Sequence, residues 1–261
     1  MNLKGKFAVI TGGSKGIGYA VAEGLAQEGV DLALIARGEE RLKKASEALS
    51  EKYRVKVIGI KADVTKMEEI EKSVYEIEKI IDGVDIFISN AGMGSNETIM
   101  EAKDEKWQYF WDLFVMAPLR YSRLLVPLMK KKKGVILNTA SICAKQPLGY
   151  EPIYNTTKAA LVMFSKCLAN ELVKYNIRVN VVNPGLIMTE DWVNSATELT
   201  KGKDMTAEQY LEQIAKDETP IGRFATPEEL AHFYVFLCSP LASYCLGSTY
   251  YVDGGWLKTT I

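Results

Sequence analysis

Tyr154 and Lys158 stand four residues apart in the run Tyr-Asn-Thr-Thr-Lys, so a helix there puts both side chains on one face. A free tyrosine, with a pKa of about 10, exchanges protons poorly at neutral pH. An ammonium about 4 Å away, at an effective dielectric near 20, favours the phenolate by roughly 4 kcal/mol. That brings the phenol into the range where acid–base catalysis is efficient. Ser141 lies upstream at the C-terminal end of an expected strand, where an open parallel sheet binds its ligands. A second group of residues is Thr11-Gly12-Gly13-Ser14-Lys15-Gly16-Ile17-Gly18. Glycines there let the backbone turn tightly against a pyrophosphate, and the helix that follows offers free N–H groups and partial positive charge. Gly12, Ser14, Lys15, Gly16, Ile17 and Gly18 are the expected contacts. The spacing Gly-x-x-x-Gly-x-Gly differs from the commoner dinucleotide fingerprint, and the strand-to-helix context carries the reading. A third group, Leu34-Ile35-Ala36-Arg37-Gly38, selects the nucleotide. An acid usually holds the free ribose hydroxyl at this point; Ala36 fills its place and Arg37 follows. A guanidinium binds a 2′-phosphate bidentately, and Lys15 adds a second positive charge. NADP(H) is the expected cofactor.

These residues need elements to place them. Short apolar runs at Phe7–Thr11, Asp31–Ala36, Val55–Lys61, Asp85–Ser89, Val135–Ala140, Arg178–Asn183 and Thr249–Val252 read as strands. Most are continuous rather than alternating, the mark of strands buried on both faces. Between the first two, Ile17, Val21 and Leu25 form one helical stripe that Gly29 closes. Strands alternating with helices predict an α/β, Rossmann-like, doubly wound parallel sheet with right-handed crossovers. No linker, repeat or charge block divides the sequence, so one domain over 1–261 is expected. Asp104 to Met129 reads as one long helix, apolar on more than one side and so a candidate subunit interface. Glu190 to Thr219 is polar, has a short helical pattern at Ala207–Ile214, and is expected to be a substrate lid. The four lysines Lys130–Lys133 read as a solvated turn.

Composition narrows the classes. Among 261 residues, 32 basic and 33 acidic side chains nearly cancel, which leaves no electrostatic footprint for nucleic acid and no polybasic face for a membrane. The first apolar run, Phe7–Ile10, is too short for a signal peptide or a membrane span. Four cysteines without a C-x-x-C pair, and a single histidine, His232, argue against a zinc site or a disulfide framework. No metal is expected, and a cytoplasmic location with reduced thiols is.

The ordered motifs together resemble the short-chain dehydrogenase/reductase family in its single-domain form, over essentially the whole chain. They are Thr11-Gly12…Gly16-Ile17-Gly18, Asp63-Val64, Asn90-Ala91-Gly92, Ser141, Tyr154…Lys158 and Asn183-Pro184-Gly185…Thr189. The resemblance is strongest to 3-oxoacyl-[acyl-carrier-protein] reductase-like members. It implies that Asp63 and Val64 bind the adenine end and that Asn90, Ala91 and Gly92 line the cofactor cleft. Pro184, Gly185, Ile187 and Thr189 would cover the nicotinamide and pyrophosphate. Ser141 would hydrogen-bond the substrate oxygen and Tyr154 would transfer the proton. Lys158 would lower the tyrosine's pKa and hold the nicotinamide ribose. The family is commonly oligomeric, so a homodimer or homotetramer is expected. One position departs from the pattern. Where the family usually has an asparagine that helps hold a relay water, this chain has Phe114. The expectation here is that the asparagine is helpful and dispensable.

Substrate residues expected from the motifs are Met93, Ile142, Cys143, Leu148, Tyr150, Met188 and Trp192. Their mostly apolar character favours a 3-oxoacyl thioester or another hydrophobic ketone as the small-molecule carbonyl or alcohol substrate. A sugar or polyol remains open, because polar lid residues could reach inward. Phe114 also raises a non-catalytic NADP(H)-binding sensor or scaffold; the joint presence of Ser141, Tyr154 and Lys158 argues for the enzyme.

Overall fold

A computed structural model describes residues 1–259. Seven parallel strands form one sheet: β1 (Phe7–Thr11), β2 (Asp31–Ala36), β3 (Val57–Lys61), β4 (Ile86–Ser89), β5 (Val135–Thr139), β6 (Arg178–Pro184) and β7 (Thr249–Val252). Their order across the sheet is β3-β2-β1-β4-β5-β6-β7. The apolar runs are continuous because each face is covered. In β1, Ala8 and Ile10 enter one core with α1 (Gly16–Gln27), α2 (Glu39–Tyr53) and α9 (Pro227–Cys238). Phe7 and Val9 enter the other, with α3 (Met67–Glu78), α4 (Asp104–Trp111), α5 (Ala117–Met129) and α6 (Pro152–Leu172). Each fully buried aliphatic side chain contributes about 1.5–3 kcal/mol, so the double burial specifies this layering strongly. The protein is an α/β, Rossmann-like, doubly wound fold. The strand order reverses at β1, between β2 and β4, and that switch point opens a cleft at the strands' carboxyl ends.

Two elements depart from the sequence expectation. The long helix is not uniform: Asp112–Met116 forms a π-helical turn between α4 and α5. An extra residue in one helical turn shifts the side chains that follow it, which the apolar pattern of the helix does not reveal. The polar segment before the last strand holds two helices, α7 (Glu190–Thr200) and α8 (Ala207–Glu218), not one. Helix α7 buries only Ala196 and Thr200, too weak a stripe to read as a helix, whereas Thr206 and Gln209 cap α8 reciprocally. The strand edges shift slightly, with β3 beginning at Val57 after the left-handed Arg54 that ends α2. Lys130–Lys133 is the solvent-facing turn expected. His232 is exposed on α9.

Candidate active site

The carboxyl ends of β1 and β4 are tied together. The Thr11 hydroxyl accepts from the backbone N–H groups of Asn90 and Ala91 at 3.0 and 3.1 Å, and the Asn90 amide donates to the Thr11 carbonyl. This closeness excludes side chains. A Cβ on Gly12, whose φ is +68°, would stand 2.9 Å from the Ala91 Cα, and one on Gly18 only 2.2 Å from the Gly12 carbonyl oxygen. The result is a backbone cradle at the start of α1, of the form a pyrophosphate requires. Lys15 stands at the rim of the cradle and Arg37 at the end of β2, both exposed. The Arg37 guanidinium donates to the Tyr109 hydroxyl at 3.1 Å. Asp63 accepts from the backbone N–H and hydroxyl of Thr65, beside the buried Val64. Gly92 faces the cleft and is exposed.

The segment after β6 crosses this cradle. Pro184 and Ile187 are buried, and Gly185 passes so close to Asp253 that a Cβ would stand 2.6 Å from its Cα. The Thr189 methyl lies 3.5 Å from where a Cβ on Gly16 would be. Helix α7 then begins with two carboxylates on the cations of the opposite rim: Asp191 pairs with Lys15, and Glu190 takes Arg41 at 2.6 and 3.2 Å.

Across the cleft, Ser141 follows β5 and caps a short 3₁₀ turn (Ile142–Ala144), its hydroxyl accepting from the Cys143 N–H at 3.2 Å. Helix α6 starts at Pro152, whose missing N–H costs nothing in a first turn. It carries Tyr154 and Lys158 on one side. Lys158 is 3% exposed, and its ammonium donates to the Thr139 carbonyl at 2.7 Å. The same Nζ lies 4.0 Å from the centre of the Phe114 ring and 5.3 Å from that of Tyr154. The structure therefore gathers Ser141, Tyr154 and Lys158 at one point.

Their resting ionisation differs from the sequence expectation. Burial pushes Lys158 down to about 7. Burial also raises the Tyr154 phenol above its ordinary value, the nearby Cys143 and Glu151 add to this, and hydrogen bonding to Ser141 opposes it. Attraction between two charges was the only effect in the sequence expectation; removing both from water costs more than that attraction returns. Burial thus works against charge on both groups, raising the phenol and lowering the ammonium.

The expected substrate residues fall in two environments, an apolar cluster and an exposed mouth, and leave out one acid. Cys143 is buried, and burial pushes its thiol up to about 11, so it is not a nucleophile. Leu148, Met188 and Trp192 join Phe224, Leu211 and Trp256 in an apolar cluster under the lid, with Trp192 edge-on to Phe224 at 5.3 Å. Met93 and Tyr150 are more than 40% exposed at the mouth. Sequence reasoning missed Glu151. Its carboxyl group accepts a backbone hydrogen bond from Ser95, and burial pushes it up to about 7. Glu97 lies nearby, accepting from the Ser95 hydroxyl at 2.9 Å and pairing with Lys106. The available signal for Glu151 was its spacing three residues before Tyr154, which places an acid beside the phenol.

A backbone cradle for a pyrophosphate, cations at the β2 end and a serine–tyrosine–lysine cluster beyond the carboxyl end of β5 define a dinucleotide-dependent oxidoreductase. The comparisons agree. The family model described as enoyl-(acyl carrier protein) reductase matches residues 12–257. The 3-oxoacyl-[acyl-carrier-protein] reductase FabG of Aquifex aeolicus is 34% identical over 258 residues, 98% of each chain. The structure of L-sorbose reductase from Gluconobacter frateurii, complexed with NADPH and L-sorbose, is 54% identical, covers all of both chains and superposes with a TM-score of 0.98. An NADPH-bound short-chain oxidoreductase of Pseudomonas aeruginosa PAO1 containing an atypical catalytic center is 28% identical over 98% of each chain, with a TM-score of 0.90. The chain belongs to the short-chain dehydrogenase/reductase family and is an NADP-dependent oxidoreductase of CH–OH and C=O groups. Among the described residues no helix is long and apolar enough to cross a membrane.

Proposed function

We propose that the chain reduces a polyhydroxy ketone of the ketose class with NADPH. Glu151 carries this reading: it is a carboxyl group half-withdrawn from water beside the Tyr154 phenol, raised to about 7 and so able to donate or accept at neutral pH. An acyl chain would offer that group nothing beyond its backbone hydrogen bond from Ser95, whereas a hydroxyl-bearing chain adds a partner. The likeness to an L-sorbose reductase at 54% identity supports the same class. This reverses the order expected from the apolar residues alone. The 3-oxoacyl thioester remains the second reading, favoured by the Trp192–Phe224 side of the pocket and by the FabG relatives.

A dinucleotide held in the cradle would supply hydride to the carbonyl carbon. Ser141 donates a hydrogen bond that holds the carbonyl oxygen, and Tyr154 gives that oxygen its proton. Lys158, in its charged form, stabilises the phenolate left behind, and its reach toward the cleft suits it to hold ribose hydroxyls. Gly12, Gly16 and Gly18 cradle the pyrophosphate with Ser14 and Ile17. Arg37 and Lys15 take the 2′-phosphate, and Asp63, Val64 and Asn90 line the adenosine side. Trp111, 41% exposed on α4, fits the expected homo-oligomeric assembly, and a cytoplasmic location belongs to the same reading.

Rates of NADPH oxidation with L-sorbose, other ketoses and an acetoacetyl thioester test the proposal. A ketose is expected to exceed the thioester at least tenfold in kcat/KM, and Glu151→Leu to cost it on the order of 100-fold, as for other sites that lose a substrate hydroxyl contact. Reduction of the thioester with no ketose accepted overturns the reading.

A further inference from the structure

The residue that breaks the family pattern is in contact with the reacting groups. Phe114 sits in the π-helical turn between α4 and α5 and is 2% exposed. Its ring stands edge-on to Tyr154, with centres 5.4 Å apart and planes at 88°, and packs against Phe110 at 5.7 Å. On another side it meets the cleft backbone, where a Cβ on Gly92 would come within 2.9 Å of its Cε1. The ring is thus clamped by α4, α6 and the β4 loop. Its relation to Lys158 is the informative one. The ammonium has three N–H donors, and one of them reaches the Thr139 carbonyl. No carboxylate pairs with Lys158 among the described residues. The titratable groups around it are Tyr154 on its own helix and Cys143 on the 3₁₀ turn, with Glu151 beyond Tyr154. Neither neighbouring group rests as an anion. The remaining favourable partner is the Phe114 ring, 4.0 Å from ring centre to Nζ, inside the range of a cation–π contact.

We propose that Phe114 is a positioning residue: its ring fixes the Lys158 ammonium beside Tyr154 and replaces the polar support that the family's asparagine provides. The inference rests on the proposed roles of Tyr154 and Lys158 and not on which ketone is the substrate. A merely space-filling Phe114 predicts that only its volume matters. A cation–π partner predicts that the electron density of its face matters at constant volume.

Graded ring fluorination separates the two. Phenylalanine carrying one, two or three fluorines is placed at position 114 of the full chain, with Phe114→Leu as the aliphatic control. Two readouts are taken: the pH profile of NADPH-dependent ketone reduction, and the pH dependence of unfolding free energy. Lys158 binds fewer protons folded than unfolded between about 7 and its unfolded value near 10.4, so stability rises with pH through that window. Each fluorine weakens the ring's hold on the ammonium and lowers the folded value further. The alkaline limb of the rate profile and the onset of the stability rise are therefore expected to move together to lower pH. The shift should reach about half a pH unit or more for the trifluoro ring, the size a cation–π contact of this kind implies. Turnover should fall stepwise, severalfold by the third fluorine. A fluorinated series matching the wild type in both readouts overturns the proposal. Movement of the stability onset without any ketone reduction in the wild type would instead contradict the functional reading and leave the contact standing.

Discussion

At the scale of single residues, charge sets the cofactor and solvation sets the chemistry. Arg37 stands at the end of β2 with its guanidinium exposed and held, among the described residues, only by the Tyr109 hydroxyl, free to turn to a phosphate. Arg37→Asp replaces an attraction for the 2′-phosphate by a repulsion and leaves the cradle of Gly12 and Gly18 intact. The expected outcome, read by fluorescence titration, is a loss of NADPH affinity of about 100-fold with NADH affinity changed by less than threefold, since a like charge near a phosphate costs a few kcal/mol. Equal losses for both nucleotides would reduce Arg37 to a surface residue. Much at this scale was legible in the sequence. Ser141, Tyr154 and Lys158 converge as their spacing implied, because α6 has one periodicity and β5 ends on the same carboxyl edge of the sheet. The ionisation of that cluster was not legible, because desolvation depends on what surrounds a group in space. Glu151 was overlooked for the same reason: a glutamate before a proline looks like a solvated loop acid until the 94–95 backbone closes over it.

Among the elements, the lid is the part whose connections point to function. Helix α7 lays Glu190 on Arg41 and Asp191 on Lys15, so its first turn occupies one of the two cations proposed to meet the 2′-phosphate, Lys15, and a second cation beside it. These are exposed pairs, each worth at most about 1 kcal/mol, so a nucleotide can displace them. The double variant Glu190→Gln, Asp191→Asn frees both cations. It is expected to tighten NADPH several-fold in equilibrium titration, to leave NADH nearly unchanged, and to lose part of that gain at high salt. Weaker NADPH binding in the variant would mean that the carboxylates support the nucleotide instead of competing with it. The existence of α7 was hidden in the sequence because its burial is slight, while α8 showed in the helical pattern at Ala207–Ile214. The π-helical turn was hidden more deeply. A pattern of buried aromatics is compatible with either helical repeat, and only the backbone hydrogen bonding of Asp112–Met116 shows which one is used.

For the whole molecule, the sheet is the frame that makes the chemistry possible. Seven parallel strands buried on both faces hold β1, β4 and β5 rigidly enough that the cradle, Ser141 and α6 meet at one edge. This architecture was readable because double burial leaves so direct a trace in sequence, namely continuous apolar runs between helical stripes. The choice between a ketose and an acyl thioester was not, since it depends on a few side chains from the lid and the loop before α6. The claim on which the rest depends is that Tyr154 gives the proton to the substrate oxygen. Its most direct test compares the wild type and Tyr154→Phe in NADPH-dependent ketone reduction, with NADPH binding measured on both. The ring and its contact with Phe114 are kept, and only the hydroxyl is lost. Turnover is expected to fall by about 1,000-fold or more, within the range of a lost general acid, while NADPH affinity stays within threefold. Turnover within tenfold of the wild type, with binding intact, would contradict the assignment.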